Sequence, residues 1–230
     1  MKMFGNFIKS ATLLASSTLV TAALLAAAKS GQAEVKAVTG SVMLDTVAVK
    51  IGDLARQGQT IKTGLNSRTA LDLAQNGALI HVLADSVLQI DDLNYDDAGA
   101  EPVAHTTLLL KKGDIDGEVK KKSAQSTFLV KTPTTTAAIR GTKFSISSTG
   151  TIYVWDGSVD VTFGGRSYNV SAGQMLDTSS FGTGTGTVVD IPPGIKAPDF
   201  SQFGGGGAGG GGFFFGGDGS TGPKVFISPN

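Results

Sequence analysis

Residues 128–163 read F-L-V-K-T-P-T-T-T-A-A-I-R-G-T-K-F-S-I-S-S-T-G-T-I-Y-V-W-D-G-S-V-D-V-T-F. Phe128 and Val130 share one parity, and Pro133 follows with no N–H to give a ladder, so a strand ends or bends near Thr132. Ile139 has odd parity whereas Phe144 and Ile146 have even parity, and an unbroken strand would point them to opposite faces. Gly141 lies between them and can supply a β-bulge that restores one apolar face. Arg140 is then pushed outward, or held at the kink by a carboxylate or by backbone carbonyls that its five donors can reach. A turn over residues 147–150 leads into Ile152 and Val154, and Asp156-Gly157 predicts a tight reversal into Val159, Val161 and Phe163. The expected unit is a meander kinked at Arg140-Gly141-Thr142.

Outward from this stretch the same period of two recurs without convincing helical periodicity. Val42-Met43-Leu44 follows Gly40, Val47 and Val49 alternate, Ile61 precedes Thr63-Gly64, and Leu71 and Leu73 flank Asp72. Asn76-Gly77 is a strong turn signal before Ile80 and Val82, then Leu88 and Ile90. A further group runs through Leu108-Leu109-Leu110, reverses near Lys112-Gly113-Asp114 and continues through Ile115 and Val119. Short segments at a spacing near ten residues predict an all-β fold, a twisted solenoid-like or sandwich-like domain. Thr39-Gly40-Ser41-Val42 echoes Asp156-Gly157-Ser158-Val159, and Gly58-Gln59 echoes Gly173-Gln174; we read these as recurring turn chemistry rather than a repeat period.

Residues 1–33 carry the marks of a secretory signal: Lys2 and Lys9 in a basic leader, an Ala/Leu/Val/Thr-rich stretch from Ala11 to Ala28, then Gly31-Gln32-Ala33 before Glu34. Cleavage after Ala33 is expected, with Ala28 as the alternative. Ser16, Ser17, Thr18 and Thr21 dilute the apolar stretch, which argues against a retained membrane anchor. Removing Lys2, Lys9 and Lys29 leaves 16 basic residues against 19 acidic, a net charge of −3 that offers nothing to nucleic acid. The chain has no cysteine, so an export signal comes without a disulfide framework, and stability must come from strand pairing and an aliphatic core. Residues 34–180 are long enough for one domain.

Residues 181–230 differ in composition, holding 16 of the 32 glycines and 7 of the 12 phenylalanines, with Phe213-Phe214-Phe215 set in an almost pure glycine field. Glycine has the largest backbone entropy to lose, so this composition predicts a disordered low-complexity tail. Its phenylalanines could also serve as adhesive contacts to a partner or to another copy.

Catalytic and metal chemistry find little footing. Nucleophilic catalysis needs a base beside a hydroxyl or thiol, and the only histidines are His81, flanked by Ile80 and Val82 as an outward residue of a strand, and His105, in a Pro-containing connector. Neither stands at metal-ligand spacing. Asp92, Asn94 and Asp96 alternate as calcium-loop ligands can, but Asp97 occupies the place of the required glycine and no glutamate lies six positions on, so a solvated acidic loop is expected. Lys111-Lys112 and Lys120-Lys121-Lys122 form a basic patch around a hairpin, expected to guard an exposed strand edge, with contact to acidic envelope polymers as the other reading.

Several segments together resemble the extracytoplasmic domain of the FecR family, regulators named for ferric citrate uptake. They are Val38–Val42, Gly58–Gly64, Ala70–Leu73 with Asn76-Gly77, Leu110–Gly113, Thr132-Pro133, Arg140-Gly141-Thr142-Lys143-Phe144 and Asp156–Val159, in the family's order across residues 37–163. The resemblance implies an all-β domain of a Gram-negative bacterium, and the leader places it in the periplasm or at the cell surface. The resemblance also implies no catalytic residues and no cofactor, with work done by recognition or signal transmission toward an envelope protein or polymer. Its structural motif residues here are Thr132, Pro133, Arg140, Gly141, Thr142, Phe144 and Gly157. Ten residues precede the apolar stretch, too few for a cytoplasmic sigma-binding domain, so direct sigma-factor contact is not expected. The alternative is a structural or adhesive surface protein that associates through its Gly/Phe tail.

Overall fold

A computed structural model describes residues 28–178 and 185–199, with two short strands at 215–216 and 224–225. In chain order the strands are β1 (Lys29–Ser30), β2 (Ala33–Thr39), β3 (Val42–Leu44), β4 (Val47–Ala48), β5 (Leu54–Ala55), β6 (Thr60–Thr63) and β7 (Arg68–Leu73). There follow β8 (Ala78–Val82), β9 (Val87–Asp96), β10 (Val103–Lys112), β11 (Asp114–Val119), β12 (Thr127–Lys131), β13 (Thr135–Ile139) and β14 (Thr142–Ser147). The last are β15 (Ile152–Asp156), β16 (Ser158–Phe163), β17 (Arg166–Ser171), β18 (Gln174–Asp177), β19 (Thr187–Asp190), β20 (Phe215–Gly216) and β21 (Lys224–Val225).

These strands build two large open sheets. One has the order β17-β16-β13-β12-β10-β9-β6-β3-β4 with β1 added to β9, the other the order β19-β18-β15-β14-β11-β8-β7-β2-β5, and β20 pairs with β21 alone. The chain lays one or two strands into one sheet, crosses, and lays the next into the other, so both sheets grow together along one axis. Among the described residues every pairing is antiparallel except β10 with β12, between which β11 visits the other sheet. The inner faces meet in one aliphatic core, with Ile61, Leu71, Ile80, Leu88, Leu108, Ile115, Phe144, Ile146, Ile152 and Val159 each at most 1% exposed. The all-β fold expected from the alternation is observed, and of the two architectures it left open, solenoid-like or sandwich-like, the strands form two open sheets packed face to face.

The crossings explain the glycines. Gly40, Gly58, Gly113, Gly141, Gly157 and Gly173 all have positive φ, and each stands where the chain passes from one sheet to the other. Here the structure corrects three expectations. The Lys112-Gly113-Asp114 and Asp156-Gly157 reversals are not hairpins, because β10 and β11, and β15 and β16, lie in different sheets. The break at Gly141 is likewise not a bulge in one strand: Ile139 ends β13 in the ten-stranded sheet, and Phe144 belongs to β14 in the nine-stranded one. A parity break with a left-handed glycine is the same in sequence for a bulge and for a corner, since both redirect inward-facing residues. The echoed tetrapeptides are equivalent corners, Gly40 and Gly157 both leading from the nine-stranded to the ten-stranded sheet. The second echo shares a bond: Arg56 N donates to Gln59 Oε1 (3.0 Å) and Ser171 N to Gln174 Oε1 (3.1 Å).

Four other expectations are corrected. Residues 91–96 are the outer half of β9, paired with β10, and not a loop. His105 lies within β10 rather than in a connector, because the strand begins directly after Pro102. The lysines guard no edge, since β10 lies between β9 and β12, and β11 between β8 and β14. At the C-terminal side β19 adds Thr187–Asp190 to the sheet within the segment assigned by composition to the tail, its Val188 packed against the core. The Gly/Phe run at 204–214 lies outside the described residues.

At the N-terminal side Lys29 and Ser30 pair with Tyr95 and Asn94, and Gly31 N donates to Leu93 O (2.7 Å). Ala33 is fully buried. No described helix is long and apolar enough to cross a membrane.

Candidate functional site

Two features stand out once the corners are placed: the turn cluster of the motif residues, and a polar row on the outer face of the nine-stranded sheet.

The motif residues separate into a turn and a pair of corners. Thr132 and Pro133 join β12 to β13, where Thr132 Oγ1 accepts from the backbone N–H of Thr135 (2.9 Å) and of Thr134 (3.2 Å). Thr132 N closes the turn on Thr135 O (2.9 Å). Pro133 is exposed, as a residue without a ladder donor should be. Gly141 and Gly157 lie against each other, and Thr142 Oγ1 donates to Ser158 O (2.9 Å), tying the outgoing corner to the returning one. Phe144 is fully buried with its ring across Gly117, where any Cβ would fall 2.2 Å from Phe144 Cζ. Arg140 does not brace this corner: its side chain is exposed and makes no hydrogen bond or ion pair with a described residue. Its neighbour Thr142 supplies the tie that the sequence reading gave to Arg140, because a short hydroxyl at a buried position reaches a carbonyl that an outward guanidinium cannot.

The polar row was not foreseen. Strand registry sets Ala70, His81, Asp116, Ser145, Tyr153 and Met175 side by side across β7, β8, β11, β14, β15 and β18, facing away from the core. Asp116 is 5% exposed and Ser145 2%, unusual for the outside of a sheet. Ser145 Oγ donates to Asp116 Oδ1 (2.6 Å) and accepts from Trp155 Nε1 (3.0 Å). Trp155 in turn stacks on Tyr153, with ring centroids 5.8 Å apart and planes 7° from parallel. Desolvation pushes the Asp116 carboxyl up to about 7, against the opposing hydrogen bond from Ser145, and pushes Asp114 up to about 6. Burial lowers His81 to about 4, helped by the charge of Arg68 and opposed by that of Asp199.

The row holds a serine, a histidine and an aspartate, but in an order unsuited to acyl transfer. Ser145 gives its proton directly to the carboxylate, while His81 stands beyond Asp116, two strand spacings or about 9.6 Å from the serine strand. A nucleophilic serine needs the imidazole beside it and the carboxylate behind. The sequence could not expose this row, because Ser145 and His81 are separated by 64 positions and meet only through the pairing of β8, β11 and β14.

Residues 59–160 match the family described as FecR protein. Over these residues, which run from the start of β6 through the first half of β16, the chain is similar to the FecR family. Two crystal structures of a protein from Parabacteroides distasonis, provisionally described as an anti-sigma factor, are similar to the chain at 14% identity and a TM-score of 0.44, covering 57% of it. The chain spans 59% of the length of those structures. No curated protein matches it.

Proposed function

We propose that the protein is an exported, non-enzymatic contact module of the Gram-negative envelope, acting in envelope signalling by binding a protein or polymer. The observation that carries this reading is the FecR domain itself, which occupies the central strands of both sheets and leaves loops and outer faces to make contacts. The arrangement of Ser145, Asp116 and His81 supports a structural use of the polar row over a hydrolytic one. Export is favoured by the basic leader and apolar stretch before residue 28. Cleavage after Ala28 fits the fold better than cleavage after Ala33, because it keeps β1 on β9 and leaves Ala33 in the core. N-terminal sequencing of protein from the periplasmic fraction should then begin at Lys29; a start at Met1 would sink export.

The composition of residues 204–217 favours a second reading, association through the Gly/Phe tail. Pull-down from envelope fractions with the whole chain, and with a chain ending before Gly204, decides between them. Capture of the same partner by both supports the folded module as the binding unit. Self-association that disappears with the tail supports the adhesive reading. No specific capture by either would overturn the contact function.

A further inference from the structure

One end of the sandwich gathers three segments distant in sequence: the Asn76-Gly77 turn between β7 and β8, the Lys120–Ser126 link between β11 and β12, and the Arg140-Gly141 corner. Lys120, Lys122 and Arg140 line one depression there, floored by Phe128 and Ile139, which are 6% and 5% exposed. No carboxylate lines it among the described residues, and none of the three cations is ion-paired with a described residue. The whole chain, by contrast, balances 19 basic residues with 19 acidic.

The lysines are held there by the backbone. Lys120 N donates to Gly77 O (2.8 Å). The Lys122 side chain lies so close over Gly77 that a Cβ on that residue would come within 2.4 Å of Lys122 Cε and 3.2 Å of Nζ. Lys121 packs its Cβ on Gly141, fixing the link against the corner that carries Arg140. Three like charges lining one depression repel one another, and an apolar floor strengthens any field they share. A group with two negative charges and several acceptor oxygens would relieve that repulsion, with the guanidinium taking two oxygens in its planar fork and each ammonium one more.

We infer that this depression binds a phosphate group, through Lys120, Lys122 and Arg140. The inference gives the contact function a specific chemistry and fails separately from it, since pull-down reports any partner and a titration reports this depression. The test is titration of protein purified from cells with inorganic phosphate at low ionic strength, followed by amide NMR. Shifts at Gly77, Lys120, Lys122 and Gly141 are expected, with affinity falling about tenfold in the Lys122→Gln/Arg140→Gln variant. Lys111→Gln/Lys112→Gln, on a different turn, should change affinity less than about twofold if the contact is local. Co-sedimentation with phosphatidylglycerol vesicles but not phosphatidylcholine vesicles, lost in the same variant, would assign the phosphate to a lipid headgroup. Phosphate binding without co-sedimentation would assign it to a soluble or polymeric phosphate. Absence of shifts at millimolar phosphate in the wild type, or equal weakening by both double variants, overturns the site.

Discussion

The carbonyl oxygen of Gly141 lies 2.3 Å from where a Cβ on Gly157 would stand. Two crossings between the sheets, 16 residues apart, are thus stacked backbone on backbone, and the second can be made only by a residue without a side chain. Gly157 also has φ +78°, a conformation that costs other residues energy even in open space.

The two contributions can be separated by substitution. Gly157→Ala should destabilise the protein by about 3 kcal/mol, combining left-handed strain with the clash at a rigid backbone atom. Gly165→Ala, at φ +75° with nothing within 4 Å of its Cβ, should cost only about 1 kcal/mol. Thermal melts would show the difference as several degrees. Equal costs would mean that the corners are not in contact.

At the same corner, Thr142 should matter and Arg140 should not. Thr142→Val keeps the shape but leaves Ser158 O without its donor, and Thr142 is 2% exposed, so a loss of about 1–2 kcal/mol is expected. Arg140→Ala should stay within about 0.5 kcal/mol of the wild type, as exposed side chains without fixed partners do. Chemical denaturation of both variants checks the pair.

Asn76 clasps two strands: its Nδ2 donates to Asn94 O (3.0 Å) in β9 and to Thr106 Oγ1 (2.9 Å) in β10, with His105 O at 3.2 Å. Asn76→Ala removes these donors from a site 2% exposed and should cost about 3 kcal/mol. Asn76→Asp should be worse, since it sets a carboxylate against two carbonyls. Hydrogen exchange should then quicken first in residues 92–96 and 103–107.

The pH dependence follows from the polar row. Asp116 and Asp114 bind protons more tightly folded, at about 7 and about 6, than unfolded, at 3.8. Between those limits the folded state holds more protons, so their contribution is full below pH 3.8 and is lost as pH rises through 6 and 7. His81 acts in the opposite sense, losing stability as pH falls from 6.5 toward 4. Two carboxyls against one imidazole should leave a net decline from pH 4 to 7. Asp116→Asn keeps an acceptor for Ser145 and should flatten that decline, with a gain on the order of 3 kcal/mol at pH 8. Urea melts at pH 4, 6 and 8 would reveal it, and an unchanged slope would remove Asp116 as its source.

Period-two patterning and punctuation by glycine, Pro133 and Asn76 were enough to specify an all-β fold, its core residues and the places where the backbone turns, because inward residues must alternate whatever lies across from them. The basic and apolar N-terminal stretch, the missing cysteines and the FecR motifs were equally local. Which sheet each strand joins was not. Ile139 and Phe144 look the same as inward residues whether Gly141 is a bulge or a crossing, and only packing two sheets face to face decides it. The polar row and the basic depression needed that decision too. Their members share no spacing in the chain, and strand registry and stacked corners alone bring His81 beside Asp116 and Lys122 beside Arg140.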